Sequence, residues 1–213
     1  MIGRMTGWTL LPYGQSAVLI ELAGASDVLP VRDALLARAH PAVLAVVPAA
    51  RTVLVEFDPS AGSGAELRRL IEDCLAGPAS SAATRQPEPA VELAVRYDGA
   101  DLASVARQCG LTVPEVIRRH CAPEYTVQFC GFAPGFGYLS GLDPVLRLPR
   151  LASPRPAVPA GSVAIAGEFT GIYPRSSPGG WLLLGRTDAV LFDLERQPPA
   201  LLRPGAAVRL MPA

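Results

Sequence analysis

The chain of 213 residues carries 19 basic and 19 acidic side chains, a formal net charge of zero, and half of its residues are hydrophobic against a charged fraction of 18%. Such a balance supplies apolar surface for one large or two small cores. It argues against a sequence-independent grip on nucleic acid, which needs clustered cations to displace phosphate counterions. All 19 basic residues are arginine; with no lysine in the chain, Schiff-base chemistry and a P-loop lysine are excluded.

Residues 16–22, SAVLIEL, read as a strand. Asp27 then opens a helical pattern with Val28, Val31, Leu35 and Leu36 on one face. Runs 42–47 and 51–57 flank Pro48-Ala49-Ala50 and predict an antiparallel hairpin. A second helix is expected over 66–75, with Leu67, Leu70, Ile71 and Cys74 inward. A strand at 91–95 would complete β-α-β-β-α-β, the ferredoxin-like layer. Residues 77–90 are polar, contain proline and lack periodicity, and mark a domain boundary. That division gives a small α/β domain over 1–85 and a second domain over 86–213. If the boundary is real, strand 91–95 would belong to the second domain instead.

Two short helices open the second half. Asp101 is expected to cap LASVARQC, which Gly110 stops, and Thr112 begins a capping box with Glu115 at its third position. The pair has the spacing of a helix-turn-helix. Its cations, Arg118, Arg119 and His120, sit only at the C-terminal end, where they suit the helix dipole rather than a DNA groove. From Pro123 to Trp181 the chain holds 18 of its 42 glycines and prolines, so short strands and shaped loops replace helix. Strands are expected at 126–130, 162–167, 180–185, 189–193 and 206–211, the spacing of a β-barrel or sandwich.

Four loops in this region concentrate the candidates for function: GFAPGFGYL (131–139), PRLASPRPAVPAGS (149–162), TGIYPRSSPGGW (170–181) and GRTD (185–188). Backbone so constrained suits a shaped surface. Gly135 and Gly137 do not form a GxGxxG fingerprint and no helix is expected after them. Arg150, Arg155, Arg175 and Arg186 could each hold a carboxylate or phosphate through paired hydrogen bonds, or pair with Glu168, Asp188 or Asp193. Tyr125, Tyr138, Tyr173, Phe132 and Phe136 could line a pocket or fill a core. His120 is the nearby group that could move a proton near neutral pH; the alternative is a helix-end histidine bonded to a carbonyl. Ser162, Ser176 and Ser177 lack a nucleophile elbow, and Asp98, Asp101 and Asp143 fit turn or cap positions. Cys74, Cys109, Cys121 and Cys130 match neither a CxxC pair nor zinc-ligand spacing, so free thiols and no metal site are expected. With no signal-like start and no run near the ~18 apolar residues of a membrane span, a cytoplasmic protein away from membranes is expected.

The segments YDGADLASVA, GLTVPEVIRRHCAPEYTVQFCGFAPGFGYLSGLD, PRLASPRPAVPAGSVAIAGEFTGIYPRSSPGGWLLLGRTD and LFD, with YGQSAVLIEL and VEFDP earlier, resemble the family of B-type 5-oxoprolinase subunits, also called allophanate hydrolase subunit 1 or KipI-like. They are also similar to subdomains C and D of the urea carboxylase carboxyltransferase. The resemblance implies an α+β chain, a small ferredoxin-like α/β domain followed by a cyclophilin-like β-barrel with two short helices. It implies an ATP-dependent 5-oxoprolinase, a hydrolase of cyclic amides, working as a hetero-oligomer with a C-type 5-oxoprolinase partner (allophanate hydrolase subunit 2). ATP would sit at, or be shared with, that partner. On this reading Arg150, Arg155 and Arg175, with Tyr138 and Tyr173, bind substrate, and His120 is the catalytic candidate. Related chains inhibit sensor histidine kinases, which gives a non-enzymatic alternative, and a subunit of an allophanate or urea amide hydrolase is a second. Prolyl isomerase activity would rest on fold analogy alone.

Overall fold

A computed structural model describes residues 7–76 and 89–213. The chain divides into two compact units, residues 1–87 and 88–213. Most of the 77–90 segment read as a boundary, residues 77–88, lies outside the described residues.

In the first unit β1 (Trp8–Pro12) and β2 (Ala17–Leu22) form an antiparallel hairpin, with Trp8 opposite Leu22 and Pro12 opposite Val18. There follow α1 (Val28–Ala37), β3 (Val43–Pro48), β4 (Thr52–Phe57) and α2 (Gly64–Ala76). The sheet order is β1-β2-β4-β3. Alternate residues of β2 and β4, Ile20, Leu22, Val53, Val55 and Phe57, meet Val28, Val31 and Leu35 of α1 and Leu67, Ile71, Cys74 and Leu75 of α2 in one core. Leu36 turns outward and is exposed, narrowing the apolar face expected of α1. The order β2-β4-β3 is the ferredoxin-like half expected. The strand flanking β2, however, comes from the N-terminal side, because WTLLP can hairpin directly onto β2. The 91–95 strand expected in that place belongs to the second unit.

The second unit is built on a seven-stranded sheet: β5 (Val91–Val95), β6 (Tyr125–Cys130), β7 (Gly137–Ser140), β9 (Ser162–Ala166), β10 (Phe169–Ile172), β12 (Leu182–Arg186) and β13 (Ala207–Pro212). Their order is β12-β9-β10-β7-β6-β13-β5, and β8 (Arg155–Val158) pairs with β11 (Ser177–Gly179) as a separate ribbon. β5 lies parallel to β13, a pairing that needs a long intervening chain. The sheet nearly closes into a barrel, since Arg96 beyond β5 and Arg186 of β12 exchange two backbone bonds of 2.8 and 2.9 Å. Near-closure shortens the exposed sheet edges. Close backbone approach there leaves no room for a side chain: a Cβ on Gly185 would overlap the Arg96 carbonyl.

Two short helices, α3 (Leu102–Cys109) and α4 (Val113–Cys121), contribute Leu102, Val105, Ala106 and Val116 to the barrel core. Gly110 ends α3 at φ +65°, and Thr112 with Glu115 forms the expected reciprocal cap on α4. The 189–193 run, read as a strand from its composition, makes only an isolated bridge, Phe192 to Ala200. The short strands β7, β8, β10 and β11 lie in stretches whose glycines and prolines suggest loops.

Candidate functional site

The strands β9, β10 and β12 are buried on both faces, and this double burial creates the site. Val163, Ile165, Ile172, Leu182 and Leu184 point into the barrel core. On the opposite face Ala164, Ala166 and Leu183 lie under a second apolar cluster of Phe136, Tyr173 and Trp181, with Tyr138 and Phe169 beside it. The alternation of a strand, period two, assigns each residue to one side. Small residues on the outer face make space for rings: a Cβ on Gly171 would come within 3.0 Å of both Phe136 and Trp181.

The rings interlock. Phe136 meets Tyr138, Tyr173 and Trp181 at centroid distances of 5.0, 5.4 and 5.5 Å, the last two edge to face. Tyr138 stacks on Phe129 at 4.1 Å, and Phe132 stands edge-on to Phe136 at 5.3 Å. Such geometries add to the stabilisation from burial. Between the rings and the β8–β11 ribbon lies a cleft of about 210 Å³ lined by Phe132, Phe136, Tyr138, Arg150, Tyr173 and Trp181, with Gly179, Gly180 and prolines 154 and 178 at its rim. The Arg150 guanidinium sits 5.8 Å from the Trp181 ring centroid, within cation–π range. Burial raises the Tyr138 and Tyr173 phenols above their ordinary pKa, so both stay neutral. The Trp181 backbone N–H donates to the Tyr173 hydroxyl. A Cβ on Gly179 would overlap that hydroxyl, so the ribbon can lie against Tyr173 only as glycine. The cleft thus offers one cation, two neutral hydroxyls and flat apolar walls. Those are the requirements for a small planar molecule carrying a carboxylate.

The other expected site residues have different duties. Arg155 is committed to Asp101: its Nη2 donates to both carboxylate oxygens at 2.7 and 2.9 Å, and its Nη1 donates to the Trp181 carbonyl at 3.3 Å. Asp101 also accepts from the Leu183 N–H at 2.7 Å and makes no side-chain cap on α3. This half-buried assembly pins β8 to the start of α3 and to β12; it is structural. Arg175 is exposed and does not line the cleft. Arg186 pairs with Asp98 at 2.8 Å.

His120 is fully buried in the barrel, so an acid–base role at a solvent-accessible site does not suit it. Thr170 Oγ1 donates to the Ala164 carbonyl at 3.0 Å, which leaves it to accept from His120 Nε2–H at 2.9 Å. Nδ1 is then the acceptor for the Tyr97 hydroxyl at 2.7 Å. Burial depresses the imidazole pKa to about 3. Tyr125 belongs to the same core and donates to the His120 carbonyl at 2.7 Å. The four cysteines are free thiols, Cys74 buried and the others half-buried. Among the described residues no cluster of histidine, cysteine or carboxylate has a metal-binding arrangement, and no helix is long and apolar enough to cross a membrane.

The family model for the carboxyltransferase domain, subdomain C and D, matches residues 8–202, and the chain belongs to that family. It is 52% identical over 125 residues to the B-type subunit of 5-oxoprolinase from Escherichia coli O157:H7. That match covers 57% of this chain and 57% of the relative, so it spans little more than half of that protein. The crystal structure of TTHA0988 superposes with a TM-score of 0.79 at 40% identity, over 93% of this chain and 40% of that one. The urea carboxylase of Kluyveromyces lactis, 20% identical, shares the fold over 97% of this chain and 22% of its own, with a TM-score of 0.68.

Proposed function

We infer that this chain is the B-type subunit of an ATP-dependent 5-oxoprolinase, acting with a C-type partner to open the lactam of 5-oxoproline to glutamate. The observation that carries this reading is the cleft: its ring walls, neutral phenols and single arginine fit a flat five-membered lactam with one carboxylate. The names of the relatives support it. Arg150 holds the carboxylate, while Tyr138 and Tyr173 offer hydroxyls to the amide. Arg155 keeps the ribbon in place and does not meet substrate.

The lactam is resonance-stabilised, so its opening by water needs activation, which ATP would supply by transferring its γ-phosphoryl group to the amide oxygen with ADP as the leaving group. ATP is assigned to the partner. The arginines that line two further clefts of the second unit are paired, Arg186 with Asp98 at 2.8 Å and Arg96 with Asp188 at 4.0 Å. A carboxylate beside each arginine disfavours an incoming anion. The chain therefore binds and orients the lactam and keeps bulk water from its flat face.

The test is co-purification with a C-type partner, followed by an ATPase assay over lactams, urea and allophanate. A stable complex that hydrolyses ATP with 5-oxoproline is expected. Turnover of allophanate or urea in its place overturns the assignment, as does failure to bind the partner combined with stable binding to a kinase dimerisation domain.

A further inference from the structure

The loop between β6 and β7 is held by three backbone hydrogen bonds. Gly131 N–H donates to the Phe136 carbonyl at 3.2 Å, and Phe136 N–H to the Ala133 carbonyl at 3.0 Å. The second closes a β-turn with Pro134 and Gly135 at its centre, Gly135 at φ +84°. This is the positional pattern of a type II turn. Ala133 N–H donates to the Gly131 carbonyl at 2.7 Å, across Phe132 alone, and Phe132 has φ +66°. An i to i+2 bond around a residue of positive φ is the rare, strained hand of the γ-turn.

Phenylalanine is a costly residue at that position, because its Cβ crowds the backbone where glycine would not. Its ring does not repay the strain by burial, being 59% exposed. It lines the cleft, edge-on to Phe136 at 5.3 Å and to Tyr173 at 6.2 Å. Strain that persists at a residue whose ring is more than half exposed points to function.

We propose that Phe132 is the specificity-determining residue of the cleft, a ring held in a strained turn so that it covers the flat face of a bound planar lactam. This rests on the lactam-binding reading given above. The covered ligand must be flat and must leave its carboxylate toward Arg150. An open-chain amino dicarboxylate, the product, is not flat and adds an ammonium and a second carboxylate, so it gains little from the ring. Phe132 accordingly favours retention of substrate over product and acts on binding rather than on the bond-breaking step.

The experiment compares Phe132→Ala, which keeps the strain and removes the ring, with Phe132→Gly, which removes both, in the assembled complex with the C-type partner. The expected result for both is a KM for 5-oxoproline raised about tenfold with kcat within twofold, and weaker discrimination against glutamate as a competitive inhibitor. Phe132→Gly is also expected to melt at a higher temperature than Phe132→Ala, because glycine accepts φ +66° freely. An unchanged KM in variants of a lactam-active complex overturns the role of Phe132 and leaves the lactam reading intact. Loss of partner binding in both variants also overturns it, identifying the ring as part of the interface with the partner. A wild-type complex without lactam-dependent turnover overturns the lactam reading itself, and this proposal with it.

Discussion

The buried His120 should make the stability of the barrel unit fall steeply with acid, well before its carboxylates titrate. Burial lowers the imidazole pKa from 6.5 to about 3, so below pH 6.5 the unfolded chain takes up a proton that the folded unit refuses. Stability from this group is complete above the unfolded pKa and is lost as pH falls toward 3, with a limiting slope of about 1.4 kcal/mol per pH unit. Between about pH 7 and about pH 5 the two pKa values give a loss of about 2 kcal/mol. In that interval carboxylates contribute little and histidine dominates. The chain has two histidines and two tryptophans. Trp181 reports the second unit, so urea unfolding followed by fluorescence in a Trp8→Phe background isolates it from the His40-containing unit. His120→Gln can still donate to Thr170 and accept from Tyr97, but has nothing to titrate. It should flatten the dependence. An equal loss between the two pH values in His120→Gln, or no loss in the parent, would refute the reasoning.

Asp101→Asn should destabilise the second unit by about 2 kcal/mol, below the range for a fully buried pair because Arg155 is partly solvated; the urea midpoint measures it, and a change within error would show the pair to be dispensable. Arg150→Met, by contrast, should leave the urea midpoint nearly unchanged, since the guanidinium is exposed, while, on the proposed lactam-binding role, raising the KM for 5-oxoproline at least tenfold. Gly179→Ala should cost about 1–3 kcal/mol, because the new methyl meets the Tyr173 hydroxyl, and it should weaken lactam binding by shifting the ribbon, as calorimetry of the complex would show.

Local elements are legible wherever one residue and its near neighbours decide the conformation. The Thr112–Glu115 cap, the Gly110 stop and the inward faces of α1 and α2 follow from side chains within one or two turns of each other. The strands β7, β8, β10 and β11 are hidden because each has three or four residues, too few for a period to emerge from glycine and proline. The 189–193 run shows the opposite failure: its composition suits a strand, but it pairs through a single bridge.

The sequence by itself determined the class of protein. Its composition, the absence of lysine, the two-part organisation, the loops rich in glycine and proline and the family resemblance are all properties of residue types and their order. It also pointed to Arg150, Tyr138 and Tyr173, which do converge on one cleft. Only the tertiary structure decided which charged residues are spent on structure. Arg150 and Arg155 lie five positions apart in the same loop-rich stretch, yet one faces a ring over open space and the other is locked to Asp101, 54 residues earlier. The role of His120 is likewise set by Thr170, 50 residues away. Partners so distant are brought together by the closing of the barrel, and no spacing within the chain announces them.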